Sequence, residues 1–119
     1  MRKLTTTFLT IMFCFTSSIV WSETVKPTNL VYRNGIYYKK FTYKPYSGSV
    51  RGTDELGYLL KGAYKDGKEE GVWEFYYDNG QIYSKTTYKN GKLDGVWLEY
   101  YENGKLNYKI IFKNGERIK

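Results

Sequence analysis

One spacing constrains this chain more than any other feature: like residues recur 24 positions apart through its second half. Tyr64, Tyr88 and Phe112 keep that spacing, as do Gly67, Gly91 and Gly115, Trp73 and Trp97, Tyr76 and Tyr100, Asn79 and Asn103, Gly80 and Gly104, and Lys85 and Lys109. A fixed period of this length marks an array of supersecondary units, each too small to bury its own apolar surface and completed by its neighbours. Function is then expected on an extended surface rather than in a single cleft.

Within one copy, Gly71 to Tyr77 is followed by Asp78-Asn79-Gly80, then by Gln81 to Lys89 and Asn90-Gly91. Both runs are rich in aromatic and β-branched residues, which suit a pleated, half-buried surface. Asn-Gly between such runs is the strongest short hairpin signal, because both residues tolerate the positive φ of a type I′ turn. Asn34-Gly35, Asp66-Gly67, Asn103-Gly104 and Asn114-Gly115 repeat the signal. Strands joined by short turns lie antiparallel, so the predicted fold is all-β: an elongated antiparallel meander of hairpin units. A degenerate copy precedes the regular ones at an offset of 23, with Gly48 before Gly71, Gly57 before Gly80 and Val50 in place of Trp73. The offset points to a one-residue deletion between Gly57 and Tyr64. Leu30 to Phe41 reads as a further hairpin that caps the array, turning at Asn34-Gly35. Gly115 to Lys119 matches the opening of another unit, which places the strand from Lys105 to Lys113 near a sheet edge. Lys105, Lys109, Lys113, Arg117 and Lys119 then discourage edge-to-edge pairing.

Taking each Asn-Gly as a two-residue loop pairs Tyr77 with Ile82, Phe75 with Ser84, Trp73 with Thr86, Glu74 with Lys85, Trp97 with Ile110 and Tyr101 with Leu106. One face then carries Trp73, Phe75, Tyr77, Ile82, Trp97, Tyr101, Leu106, Tyr108 and Ile110. The other carries Tyr76, Tyr83, Lys85, Tyr100, Lys109 and Lys113. A three-residue loop with a bulge shifts the pairing by one and exchanges neighbours between faces. Trp73 and Trp97 are expected to pack first of all, since rings of this size suit a thin, half-buried core. The candidate binding surface comprises Trp73, Phe75, Tyr77, Trp97, Tyr101, Tyr76, Tyr100, Lys85 and Lys109.

The amino terminus has the order of a secretory signal peptide: Arg2 and Lys3, an apolar stretch from Leu4 to Trp21, then Ser22. Val20 and Ser22 suit the two positions before a cut, so cleavage is expected between Ser22 and Glu23. An uncleaved anchor is the alternative, but seven of the 18 residues from Leu4 to Trp21 are Thr or Ser. Lipidation at Cys14 is disfavoured by the bulky Phe13. The resulting division is 1–22 signal peptide, 23–44 an N-terminal segment with the capping hairpin, and 45–119 the repeat array. Without Arg2 and Lys3 the balance is 17 basic to 12 acidic side chains, a surplus that favours acidic partners only weakly. The sole cysteine lies in the signal, so no disulfide supports the rest.

No constellation for catalysis emerges. The chain has no histidine, so Ser47, Ser49 and Ser84 lack the usual base and metals lack their commonest ligand. Asp66, Glu69, Glu70, Asp78 and Asp94 fall at turns, and no acid-rich loop has calcium-binding spacing. Gly67-Lys68-Glu69-Glu70-Gly71 lacks the ending of a phosphate loop. The chain reads as a non-enzyme with no cofactor and no metal.

Tyr64-Lys65-Asp66-Gly67-Lys68, Gly71-Val72-Trp73 and Tyr76-Tyr77-Asp78-Asn79-Gly80, repeated as Tyr88-Lys89-Asn90-Gly91-Lys92, Gly95-Val96-Trp97 and Tyr100-Tyr101-Glu102-Asn103-Gly104, resemble the bacterial MORN repeat variant of YwqK-type antitoxin proteins. Pro45-Tyr46-Ser47-Gly48 is similar to the Pro-Phe-Thr-Gly stretch that often opens such arrays. The resemblance implies a non-enzymatic MORN-type domain that binds another macromolecule, first of all a protein, in an antitoxin-like, toxin-neutralising role. With the signal peptide, the expected location is the periplasm or the medium of a bacterial envelope. Cell-wall glycan and an anionic lipid surface are the alternative partners; nucleic acid is not expected, because export removes the usual encounter. Eukaryotic units have a Gly-Glu-Trp core where this chain has Gly-Val-Trp. Mass spectrometry of the exported protein should find Glu23 as the first residue; Met1 retained in the bulk of folded material would refute cleavage.

Overall fold

The computed structural model describes residues 23–119; the expected signal peptide, Cys14 included, lies outside them. Twelve strands follow one another: β1 (Thr24–Val25), β2 (Leu30–Arg33), β3 (Ile36–Lys39), β4 (Gly48–Thr53), β5 (Leu59–Lys65), β6 (Lys68–Glu69), β7 (Gly71–Tyr76), β8 (Ile82–Lys89), β9 (Lys92–Leu93), β10 (Gly95–Tyr100), β11 (Leu106–Lys113) and β12 (Glu116–Arg117). A 3-10 turn at Pro27–Asn29 is the one helical element among the described residues. The fold is all-β. One sheet runs in the order β1-β4-β5-β7-β8-β10-β11-β12, with β6 paired to β5 and β9 to β8, while β2 and β3 form a separate hairpin.

The expectation of a purely antiparallel meander needs one correction. β1 runs parallel to β4, pairing Thr24 with Ser49 and Val25 with Val50. Between them the chain goes out through the β2-β3 hairpin and returns in its original direction. Ser49 N donates to Glu23 O (2.8 Å), and the Tyr46 hydroxyl donates its proton to Ser49 O (2.7 Å), shared with the more distant Glu23 O (3.1 Å), which fixes that return.

The turns alternate between two kinds. Asn90-Gly91, with φ of 51° and 80°, is a two-residue type I′ turn, and Asn34-Gly35, Asp66-Gly67 and Asn114-Gly115 repeat it. At the other end of the strands the loops have three residues. Tyr77 N donates to Gln81 O (2.8 Å) and Gly80 N to Tyr77 O (3.0 Å), a pattern repeated at Tyr101 to Lys105 and Asp54 to Tyr58.

The longer loop shifts the pairing by one: Tyr76 pairs with Ile82 and Tyr100 with Leu106, not Tyr77 with Ile82 and Tyr101 with Leu106. A bulge at Tyr83, and another at Asn107, then takes up the extra residue. Beyond each bulge the expected pairs hold: Phe75 with Ser84, Glu74 with Lys85, Trp73 with Thr86 and Trp97 with Ile110. Ile82 and Leu106 therefore sit opposite Tyr76 and Tyr100 rather than on the tryptophan face. β4 and β5 pair without interruption from Gly48–Tyr64 to Thr53–Leu59. The residue deleted between Gly57 and Tyr64 is the bulge.

The inner face carries the core, formed by Val25, Tyr46, Val50, Leu60, Tyr64 and Trp73, with Leu30, Tyr37, Phe75 and Tyr88 packed against it. Tyr37 of the capping hairpin meets Tyr64 with ring centroids 4.7 Å apart; Tyr64 meets Trp73 edge-on at 5.0 Å, and Trp73 meets Tyr88 at 6.2 Å. Gly62 lets the Trp73 ring lie on the backbone of β5, where an added Cβ collides with the indole. The Trp73 indole N–H donates to Ala63 O (3.2 Å). Thr86 stands one period after Gly62, and the β8–β10 register, Leu98 with Lys85, continues to set it opposite Trp97. The Trp97 Nε1 and Thr86 Oγ1 are buried without a partner among the described residues.

Units are also joined at both rims. Gly67 N donates to Tyr46 O (2.8 Å), Gly91 N to Glu69 O (2.9 Å) and Gly115 N to Leu93 O (2.7 Å). On the opposite rim the Tyr77 hydroxyl donates to Tyr100 O (2.8 Å) and Asn79 Nδ2 to Glu102 O (3.1 Å).

Trp73→Ala should cost ~3–5 kcal/mol of stability, and Trp97→Ala less, since its ring is half-buried and its N–H makes no bond that would be lost. Gly62→Ala should cost ~1–3 kcal/mol by overpacking. Thermal or denaturant unfolding measures all three.

Burial raises the pKa of Tyr64 and Tyr88, and of Tyr37 with Glu69 adding to the effect. A raised folded-state pKa gives stability that is intact below the unfolded tyrosine value of ~10 and lost as pH climbs through the folded values. Melting temperature should therefore fall above that pH, with tyrosinate absorbance rising in step with unfolding; ionisation of every tyrosine without loss of structure would contradict the packing of this stack.

Candidate functional site

Strand pairing assembles three rows of side chains on the outer face, which no described element covers. The middle row runs Arg51, Lys61, Glu74, Lys85, Leu98, Lys109 across six strands. Arg51, Lys61, Lys85 and Lys109 are exposed. Arg51 and Lys61 are directly opposed and reinforce one another's field, Glu74 stands between Lys61 and Lys85, and Leu98 separates Lys85 from Lys109. Toward the three-residue loops, Thr53, Leu59, Tyr76 and Ile82 form a second row, continued by Tyr100 and Leu106. Leu59 is 42% and Leu106 52% exposed, which leaves apolar surface beside the cations. The third row holds Ala63, Val72, Thr87, Val96 and Ile111.

The residues singled out from sequence divide between the two faces. Tyr76, Tyr100, Lys85 and Lys109 come together on the outer face. Trp73, at 4% exposure, belongs to the core, and Phe75 packs beside it. Trp97 is half-buried against Phe112, with centroids 5.8 Å apart. Tyr77 is tied at the rim by its bond to Tyr100 O, and Tyr101 lies half-exposed at the next loop. Arg51, Lys61, Leu59 and Leu106 were not among the candidates. Lys61 had a usable signal, because Lys61, Lys85 and Lys109 keep the 24-residue spacing. Leu106 was placed on the wrong face by the loop length.

At the same rim, Tyr58, Phe75, Tyr76, Tyr77, Asp78 and Tyr83 line a pocket of about 500 Å³. The Tyr77 and Tyr83 rings meet edge-on at 5.2 Å. Desolvation raises the Tyr77 pKa, with Glu102, Tyr83 and Glu99 adding to it. Tyr108 donates to the Glu99 carboxylate, a bond that raises its own pKa ahead of desolvation. This rim is acidic and aromatic, whereas the outer face is basic. Among the described residues no group of three or more acids, His or Cys is placed to hold a metal ion.

The MORN repeat variant matches residues 69–90 and 93–114. Residues 69–114 hold two MORN repeats. Each matched MORN unit runs from one type I′ turn to the next and contains one Gly-Val-Trp strand, one three-residue loop and one bulged strand. The stretch from β4 to β5 has the same path without a match, having lost the bulge residue and holding Val50 where MORN units here hold Trp. No curated protein and no solved structure shows significant similarity to the chain.

Proposed function

We propose that this MORN array is an exported, non-enzymatic module that binds a partner protein through its outer sheet face, in the manner suggested by its likeness to YwqK-type antitoxins of bacteria. The observation that carries the reading is the basic row Arg51, Lys61, Lys85 and Lys109 lying against exposed Leu59, Leu106 and Val72 and the half-exposed rings of Tyr76 and Tyr100. Such a face divides the work of recognition. Charge speeds the encounter and selects an acidic partner, while tyrosine and leucine surface provides the contact that excludes water. The short rungs between strands hold these side chains in fixed register, so little ordering is needed on binding. Export rests on residues 1–22, and the absence of histidine is consistent with a role outside catalysis.

The same row of cations favours an anionic lipid surface as a second reading, at ~1 kcal/mol per basic residue near the membrane. Salt separates the two. Lys85→Glu combined with Lys109→Glu should keep the fold, at a cost of under about 1 kcal/mol from setting a carboxylate opposite Glu74, and slow association with the partner, while the complex of the unsubstituted protein persists at high salt. Charge-driven adhesion should disappear as the screening length falls from ~10 Å at 0.1 M to ~3 Å at 1 M. A pull-down from the envelope fraction, run beside anionic vesicles and purified cell-wall glycan, decides it: retention on vesicles or glycan alone, lost in salt or in the double variant, would displace the protein reading.

A further inference from the structure

Two features lie outside the outer face. The first is the loop of residues 40–45. Phe41 is fully exposed (101%) at φ 66°, a left-handed conformation that bulky residues seldom adopt, and Tyr43 beside it is 91% exposed. The loop is held firmly. Lys40 N donates to Asn29 O (2.8 Å), Thr42 N and Oγ1 donate to Lys39 O (3.1 and 2.7 Å), and Arg33 donates to Thr42 O (2.7 Å). The Arg33 guanidinium also lies over Tyr38 at 4.3 Å and Tyr43 at 5.4 Å. This hydrogen-bonded loop presents one apolar ring to solvent, with Lys40 next to it and Lys44 three residues on in the chain, and Arg33 bound to the Thr42 carbonyl.

The second is the tyrosine pocket at the acidic rim. Its lining departs from the repeat: at the equivalent places of the next unit, 23, 24 and 24 residues after Tyr58, Phe75 and Tyr83, stand Gln81, Glu99 and Asn107. The neighbouring unit folds the same way without those rings, so the sheet does not require them. Asp78 is the charged group in the lining, and the lining contains no cation. Tyr58 is 60% and Tyr83 40% exposed, so the rings are open to a visitor.

We propose that Phe41 of one copy seats in the tyrosine pocket of a second copy, with the cations of the loop set against Asp78 and the carboxylates of Glu99 and Glu102. Knob and pocket are complementary in both terms that matter. An aromatic edge meets aromatic faces, which adds to the area buried, and a basic rim meets an acidic one. Preformed geometry on both sides spares the cost of ordering a flexible loop. The contact joins two different patches, so the copies assemble head to tail unless two contacts close a reciprocal dimer.

Sedimentation velocity over a range of concentrations tests this. The purified protein should associate with rising concentration. Phe41→Ala and Tyr58→Ala, both at exposed positions, should each raise the dissociation constant at least about thirtyfold, as for an aromatic anchor, with melting unchanged. An equimolar mixture of these two variants should form a one-to-one complex and nothing larger, because the mixture retains one intact pocket and one intact knob. Tyr83→Ala replaces Tyr58→Ala if the latter melts early. A protein that stays monomeric throughout overturns the proposal, as does wild-type association by Phe41→Ala, or a mixture that stays monomeric while the unsubstituted protein associates. Binding of the monomer to anionic vesicles that Phe41→Ala abolishes overturns it too, assigning the knob to lipid.

Discussion

A one-layer sheet has no second sheet to close its core, so this structure depends on the edge-on contact of a tryptophan with the tyrosine on either side. Trp73 touches Tyr64 before it and Tyr88 after it, and the capping hairpin extends the stack through Tyr37. Each ring is buried by its neighbours in the chain's own order, which is why no single unit is complete. Folding energy in such an array is a sum of unit and nearest-neighbour terms. The array is also best packed where the cap sits: Val50, Leu60, Tyr64 and Trp73 are buried, whereas Trp97, Ile110 and Phe112 are half-buried.

Gly62 shows how a single missing side chain affects that stack. It admits the Trp73 ring to the backbone, where the indole N–H reaches Ala63 O. One period later Thr86 occupies the place, and Trp97 keeps its ring but makes no such hydrogen bond. The two MORN units therefore share a path and differ in tightness, and the exchange of Gly62 for Thr86 is one of the side-chain differences that separate them.

Much of this was readable in the chain. The 24-residue spacing and the Asn-Gly turns led to the antiparallel hairpins, and the tryptophan pairs were right because a three-residue loop and a bulge cancel beyond Tyr83 and Asn107. Within the loop ends they do not cancel, so Ile82 and Leu106 were put on the wrong face. The offset of 23 was legible as a deletion, but that it removed a bulge follows only from strand pairing. β1 was not legible, since two residues at Thr24–Val25 carry no pattern of their own and are placed by the long return through Tyr46. The outer face was read in part: Lys85 and Lys109 were in view, while Arg51 and Leu59 join them only through cross-strand register. The tyrosine pocket was not legible, because its rings interrupt the repeat.

The hydrogen bonds that tie one turn to the next, from Gly91 to Glu69 and from Gly115 to Leu93 on one rim and from Tyr77 and Asn79 to Tyr100 and Glu102 on the other, bear on how the molecule carries load. They lie along the direction in which strands are stacked, and so do the bonds between strands. Tension applied to the two ends pulls these bonds open a few at a time, like a zipper, instead of shearing a whole strand at once. The array would then yield at low force and in steps, each unit releasing up to about 80 Å of chain. A module attached at both ends would behave as an extensible tether, lengthening by whole units.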